Sequence, residues 1–167
     1  MTGVQTCALP ILACFNPNNT IFTQSSPRFK QMFMYMAGYE NEEKFDREVA
    51  QGMTVRGYLD KVKCPTLLVT GEFDPLCPLE DAIEAYGDLK VPKEMWVIEN
   101  QYHPLWGLPN FGGLDCHEYV LDWLQALFSK KLKLSRKGRI AYVKENGDGP
   151  WGNCDWAPPI KRGQAYF

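Results

Sequence analysis

The chain has 167 residues, of which 45% are hydrophobic and 13% aromatic, enough for one ordinary domain with a true core. Its formal net charge of -2 at pH 7 argues against nucleic acid or an anionic membrane surface as a partner. No apolar run approaches the roughly 20 residues that a membrane-spanning helix needs.

The cysteines (Cys7, Cys14, Cys64, Cys77, Cys116 and Cys154) include no CxxC pair, and only two histidines are present. Neither a metal nor another cofactor is therefore expected. Irregular cysteine spacing in a chain of this length fits reduced thiols and a cytoplasmic location.

Residues 1–11 carry no Lys or Arg before their apolar part, so they make a poor signal peptide. Ile11-Leu12-Ala13-Cys14 has the outline of a lipoprotein cleavage box without a basic leader. The segment resembles the translation of sequencing-adapter DNA and is expected to be a non-native leader.

Residues 12–63 read as lid or connecting helices. Ser26-Pro27 is a helix start, and Phe29, Met32, Phe33 and Met36 repeat at helical spacing up to Gly38. Such a methionine-rich face suits a core or the border of a pocket, and Phe33 and Met36 are pocket candidates on that ground. A second helix is expected from Asn41, with Phe45, Val49 and Met53 on one side. A third is expected from Thr54, with Val55, Tyr58, Leu59 and Val62.

Residues 64–128 carry the organising pattern. Leu67-Leu68-Val69 is continuously apolar, as in a strand of a parallel sheet covered on both faces. Leu79, Ala82, Ile83 and Tyr86 mark a crossover helix, and Trp96-Val97-Ile98 a second buried strand. Asp115 opens a long helix, with Glu118 in capping-box spacing. The Lys/Arg cluster from Lys130 to Arg139 follows that helix, where cations complement the dipole. Residues 129–167 otherwise read as an irregular tail, with a short strand possible at Ile140–Val143 and a turn at Asn146–Pro150.

Two residues carry chemistry. Asp74 follows the first strand and His103 the second, at a spacing of one strand-helix-strand step. In a parallel sheet those two loops are neighbours, and a carboxylate beside an imidazole orients the ring and stabilises its charged form. The competing readings are a helix cap for Asp74 and an ordinary loop residue for His103. Glu72 is the substitute acid, and His117, in the first turn of the last helix, reads as surface.

Cys64-Pro65 through Cys77-Pro78, with Gly71-Glu72-Phe73-Asp74 at its centre, resembles the acid-bearing strand and loop of α/β-hydrolases. His103 and the helix after it resemble that family's histidine loop and closing helix. The likeness covers about residues 55–128. The helices before it are similar to the prolyl oligopeptidase-like and dihydroxypseudooxynicotine hydrolase-like branch. The resemblance implies a partial α/β-hydrolase fold and a Ser-Asp-His triad with Asp74 and His103 as acid and base. It also implies a small-molecule substrate, cleaved at an ester, amide or carbon–carbon bond beside a carbonyl, with Trp106 as a further pocket candidate. The sequence departs from the family at Gln101-Tyr102, where many relatives have a glycine before the histidine. It also holds no Gly-x-Ser-x-Gly elbow, its serines being Ser25, Ser26, Ser129 and Ser135. No nucleophile is expected in this chain. The expectation is an inactive C-terminal fragment with an unpaired, apolar sheet edge; the alternative is a non-catalytic α/β module.

Overall fold

The computed structural model describes residues 13–105, 107, 108 and 110–158. The expected leader at 1–11 and Trp106 lie outside the described residues.

A three-stranded parallel sheet organises the molecule, in the order β1 (Thr66–Gly71), β2 (Lys93–Ile98), β3 (Arg139–Val143). In register, Val69 lies opposite Trp96, and Trp96 opposite Ala141. Every residue of β1 and β2 is buried, which explains their unbroken apolar runs: a covered sheet has no polar face to alternate with. On one face Leu67, Val69, Trp96, Ile98 and Val143 pack against helix α5 (Cys116–Phe128). On the other, Leu68, Met95 and Val97 pack with helix α4 (Leu79–Asp88) and Phe15. The α/β expectation holds in this coarse form.

β3 corrects the reading of the tail as an appendage. It pairs with β2 along its whole length, and Ala141 and Val143 are buried in the main core. The carboxylate of Glu94 on β2 fixes it there. It accepts from Trp96 Nε1 at 3.0 Å, from Trp123 Nε1 on α5 at 3.1 Å and from Arg139 Nη1 at 3.2 Å. Arg139 also binds Asp155 and the Pro150 carbonyl, so a buried acid joins strand, helix and tail.

The other edge of β1 pairs with no strand among the described residues. Thr66 and Glu72 direct their N–H groups to the Pro92 and Ile98 carbonyls on the β2 side. By the two-residue period, those of Leu67, Val69 and Gly71 face the opposite way.

The helices before the sheet form a separate small cluster. A single turn, α1 (Pro17–Asn19), and a π-helical turn at Thr20–Gln24 lead into α2 (Pro27–Met36) and α3 (Glu42–Glu48). Phe22, Met34 and Phe45 are buried there, and Phe22 meets the Phe33 and Phe45 rings edge-on. Lys30 binds Glu42 at 2.6 Å and Asp46 at 2.8 Å, which ties α2 to α3.

Three expectations change here. The buried edge of α2 is turned toward Phe33 and Met34, because the Lys30 ion pairs and Phe22 set its rotation; Met32 and Met36 stay 48% and 63% exposed. The helix from Asn41 begins as expected, with the Asn41 side chain accepting from Lys44 N–H at 2.8 Å. It ends at Glu48, and Val49 leads into a 3-10 turn at Ala50–Gly52. The helix expected from Thr54 is absent: Gly57 has φ of +79°, a left-handed conformation that breaks a right-handed helix, and only Leu59–Lys61 make a 3-10 turn.

Candidate active site

The site sits at the carboxyl edge of the sheet, where β1 and β2 end side by side. Gly71 closes β1 beneath the loop after β2. A Cβ at Gly71 would stand 2.5 Å from the Gln101 carbonyl oxygen, so only glycine lets the two loops approach this closely. Phe73 N–H then donates to Gln101 O at 2.9 Å and joins the loops directly.

Asp74 follows, only 2% exposed. Its Oδ1 accepts from the backbone N–H groups of Leu76 (2.9 Å) and Cys77 (3.1 Å), and its Oδ2 lies 3.0 Å from His103 Nδ1. The Cys77 thiol adds a further hydrogen bond to the same carboxylate. A carboxylate only accepts, so Nδ1 is the protonated nitrogen and donates. In the neutral ring the other nitrogen, Nε2, then carries the lone pair. The His103 side chain is 35% exposed and reaches solvent.

Asp74 is therefore not the cap of α4, whose N-cap position is Pro78. Glu72 is not the acid either: it accepts from Asn100 N–H at 3.0 Å and from the Tyr142 hydroxyl at 2.6 Å. This carboxylate fastens the acid loop, the histidine loop and β3 to one another. His117 is half-buried, with Nδ1 3.7 Å from its neighbour Asp115 Oδ1 in the first turn of α5. The capping box of Asp115 and Glu118 forms as expected.

Beside Asp74 opens a cleft of about 840 Å³. Ser25, Ser26 and Phe29 line one side, with Phe73, Asp74 and Tyr102 on the other. The pocket candidates Phe33 and Met36 do not line it; Phe33 packs on Phe22, and Met36 faces solvent. Phe29, from the same helix, takes the expected place. Ser25 donates its hydroxyl to Thr20 O at 3.0 Å, and the Ser26 side chain makes no capping bond although α2 starts after it.

Sequence reasoning missed Cys77, Phe73, Tyr102 and Tyr142. Cys77 could have been found from its place three residues after the acid, within one turn of it. Burial, then the charge of Asp74, pushes the Cys77 thiol up, so it remains a protonated donor and not a nucleophile. One ligand atom each from Asp74, Cys77 and His103 lies within 4.8 Å of the others, a mixed oxygen, sulfur and nitrogen donor set.

No family model, curated protein or solved structure matches the chain. Among the described residues, no helix is long and apolar enough to cross a membrane.

Proposed function

We propose that this chain supplies the acid and the histidine of a Ser-Asp-His triad of the α/β-hydrolase type. The observation that carries the reading is the 3.0 Å contact between His103 Nδ1 and Asp74 Oδ2, made by loops that leave adjacent parallel strands. An Asp74–His103 separation above about 7 Å would have favoured a non-catalytic module, since it leaves no hydrogen bond to tighten.

In this reading His103 Nε2 takes the proton of a serine hydroxyl as it attacks a carbonyl carbon, and then returns it to the leaving group. Asp74 holds the ring in the required tautomer and stabilises the imidazolium. General base and acid catalysis of this kind contributes about 10²–10⁴-fold. Two backbone N–H groups hold the other carboxylate oxygen of Asp74, so the acid is fixed in place against the ring.

The serine and the oxyanion donors come from outside this sequence. Ser25 is already committed to Thr20, and neither Ser25 nor Ser26 has the flanking glycines of a nucleophile elbow. The chain alone is then inactive. The parent enzyme acts on a small molecule with an ester, amide or carbon–carbon bond beside a carbonyl, bound in part by the cleft at Phe29, Phe73 and Tyr102. The proposed branch is the prolyl oligopeptidase-like and dihydroxypseudooxynicotine hydrolase-like one, and its support is the helical segment before the sheet, α2 among it.

The test is to extend the reading frame upstream of codon 12 and express the longer chain. A Gly-x-Ser-x-Gly sequence should appear there, and hydrolysis of an activated ester should be lost in His103→Ala. An extended chain whose turnover is indifferent to His103→Ala, or turnover by the present chain that Ser26→Ala abolishes, would refute the proposal.

A further inference from the structure

The chain has no CxxC pair and only two histidines. The fold gathers a donor set by another route. Asp74 and Cys77 come from one loop and His103 from the next, with one ligand atom each inside 4.8 Å of the other two. We propose that these three side chains form a binding site for a borderline-soft divalent cation, zinc above all, at the edge of the cleft.

The donors suit that ion. Carboxylate oxygen, thiolate sulfur and imidazole nitrogen are its usual ligands, at bonds of about 2.0–2.3 Å. Tetrahedral geometry at those lengths puts ligand atoms about 3.3–3.7 Å apart. The Asp74–His103 contact of 3.0 Å needs to open by only a few tenths of an ångström. The two separations that involve Cys77 Sγ also lie within 4.8 Å.

The surroundings suit it too. Asp74 and Cys77 are 2% and 4% exposed, so they are already stripped of water, and a divalent charge would compensate the Asp74 carboxylate and the thiolate that Cys77 becomes on binding. The 35% exposure of His103 leaves an entry path and a fourth position open to solvent. Binding exchanges the hydrogen bonds within the trio for metal bonds. Cys77 forms a sulfur–metal bond and releases its proton to solvent. His103 coordinates through Nδ1, the nitrogen that faces Asp74, and the ring proton moves from Nδ1 to Nε2 through solvent. No electron transfer is involved. A ring held in this way can no longer serve as a base, so the ion would switch the proposed triad off.

This inference goes beyond the hydrolase reading and does not depend on it, because it needs only the present chain and the metal. Cobalt(II) is the probe, since thiolate ligation gives a near-ultraviolet charge-transfer band and tetrahedral geometry gives intense visible bands. The expected result is saturable binding with both signatures, reversed by added zinc. Cys77→Ser should remove the charge-transfer band. His103→Ala, at a partly exposed position that does not endanger folding, should weaken binding by about 10-fold or more. Cys14→Ser should change nothing. A cobalt spectrum that stays that of the hydrated ion, a charge-transfer band that survives Cys77→Ser or vanishes in Cys14→Ser, or wild-type affinity in His103→Ala overturns the proposal. None of those outcomes bears on hydrolysis by the longer chain, so the two readings fail separately.

Discussion

Replacing Asp74 by Asn separates its two roles. Asp74 Oδ1 holds two backbone N–H groups, and Oδ2 holds His103. The amide oxygen of Asn can still accept from Leu76 and Cys77, but the amide nitrogen then faces Nδ1 as a donor. The imidazole must turn its lone pair to that side, and its proton moves to Nε2. Stability should fall by only about 1 kcal/mol, because bonds to a charged acceptor become bonds to a neutral one. Asp74→Ala strands both backbone donors at about 1–3 kcal/mol each, which sums to about 2–4 kcal/mol after allowance for relaxation around Leu76. The difference of about 2 kcal/mol corresponds to about 4–8 °C in Tm for a chain of this size. The assay is a long-range proton–nitrogen NMR spectrum, simple here because the chain holds two histidines. His103 should be Nδ1-protonated in the wild type when neutral and Nε2-protonated in Asp74→Asn, while His117 is unchanged. Two results would refute the reasoning. One is a wild-type His103 with the tautomer mixture of free imidazole. The other is an Asp74→Ala variant as stable as Asp74→Asn. In the longer enzyme the same Asn substitution should lower kcat by about 10⁴-fold.

Gly71→Ala should cost about 1–3 kcal/mol in a urea titration and disturb the His103 signals, since the new methyl meets the Gln101 backbone and not a flexible side chain. Glu94→Ala should cost about 3–5 kcal/mol by the same titration, because it leaves two buried indole N–H groups and Arg139 without their acceptor. Asp81→Asn should raise Tm at pH 7 by a few degrees (about 1 kcal/mol), since burial raises the Asp81 pKa and one carboxylate oxygen has no partner. A raised folded-state pKa contributes stability below the unfolded value, 3.8 here, and loses it as pH rises through the folded value, so the advantage of Asn should vanish in melts near pH 3.8. Tyr142→Phe should cost about 1 kcal/mol and speed hydrogen exchange at the Asn100 amide, because Glu72 then holds the histidine loop without its own anchor.

The parts legible in the sequence share one physical basis, which is local. Unbroken apolar runs gave β1 and β2, because a strand covered on both faces has no reason to alternate. The Asp115–Glu118 spacing gave the start of α5, because a capping box closes within four residues. The Asp74–His103 pair was legible because one crossover step fixes which loops are neighbours. What stayed hidden depends on partners distant in the chain. The rotation of α2 is set by Glu42, Asp46 and Phe22, none of which its own periodicity reports. The place of β3 in the sheet rests on Glu94, 45 residues before Arg139. Gly57 lies inside the segment whose apolar spacing suggests a helix from Thr54, and its positive φ, which periodicity does not report, is the reason that no helix forms.

β3 also explains why a segment without obvious chemistry belongs to the candidate site. Tyr142 reaches across β2 to Glu72, two residues before the acid, and the same carboxylate holds Asn100, three residues before the histidine. Asn100 makes a turn at φ of +55°, a left-handed conformation that Asn adopts more readily than most residues, and the Glu72 carboxylate accepts its backbone N–H there. Asp74 and His103 are thus aligned twice over: directly, through their own hydrogen bond, and from below, through an acid anchored on a third strand. The second restraint does not use the imidazole. It therefore stays in place when Nδ1 lets go of Oδ2, which is the condition for the same pocket to hold either a proton relay or a metal ion without the loops coming apart.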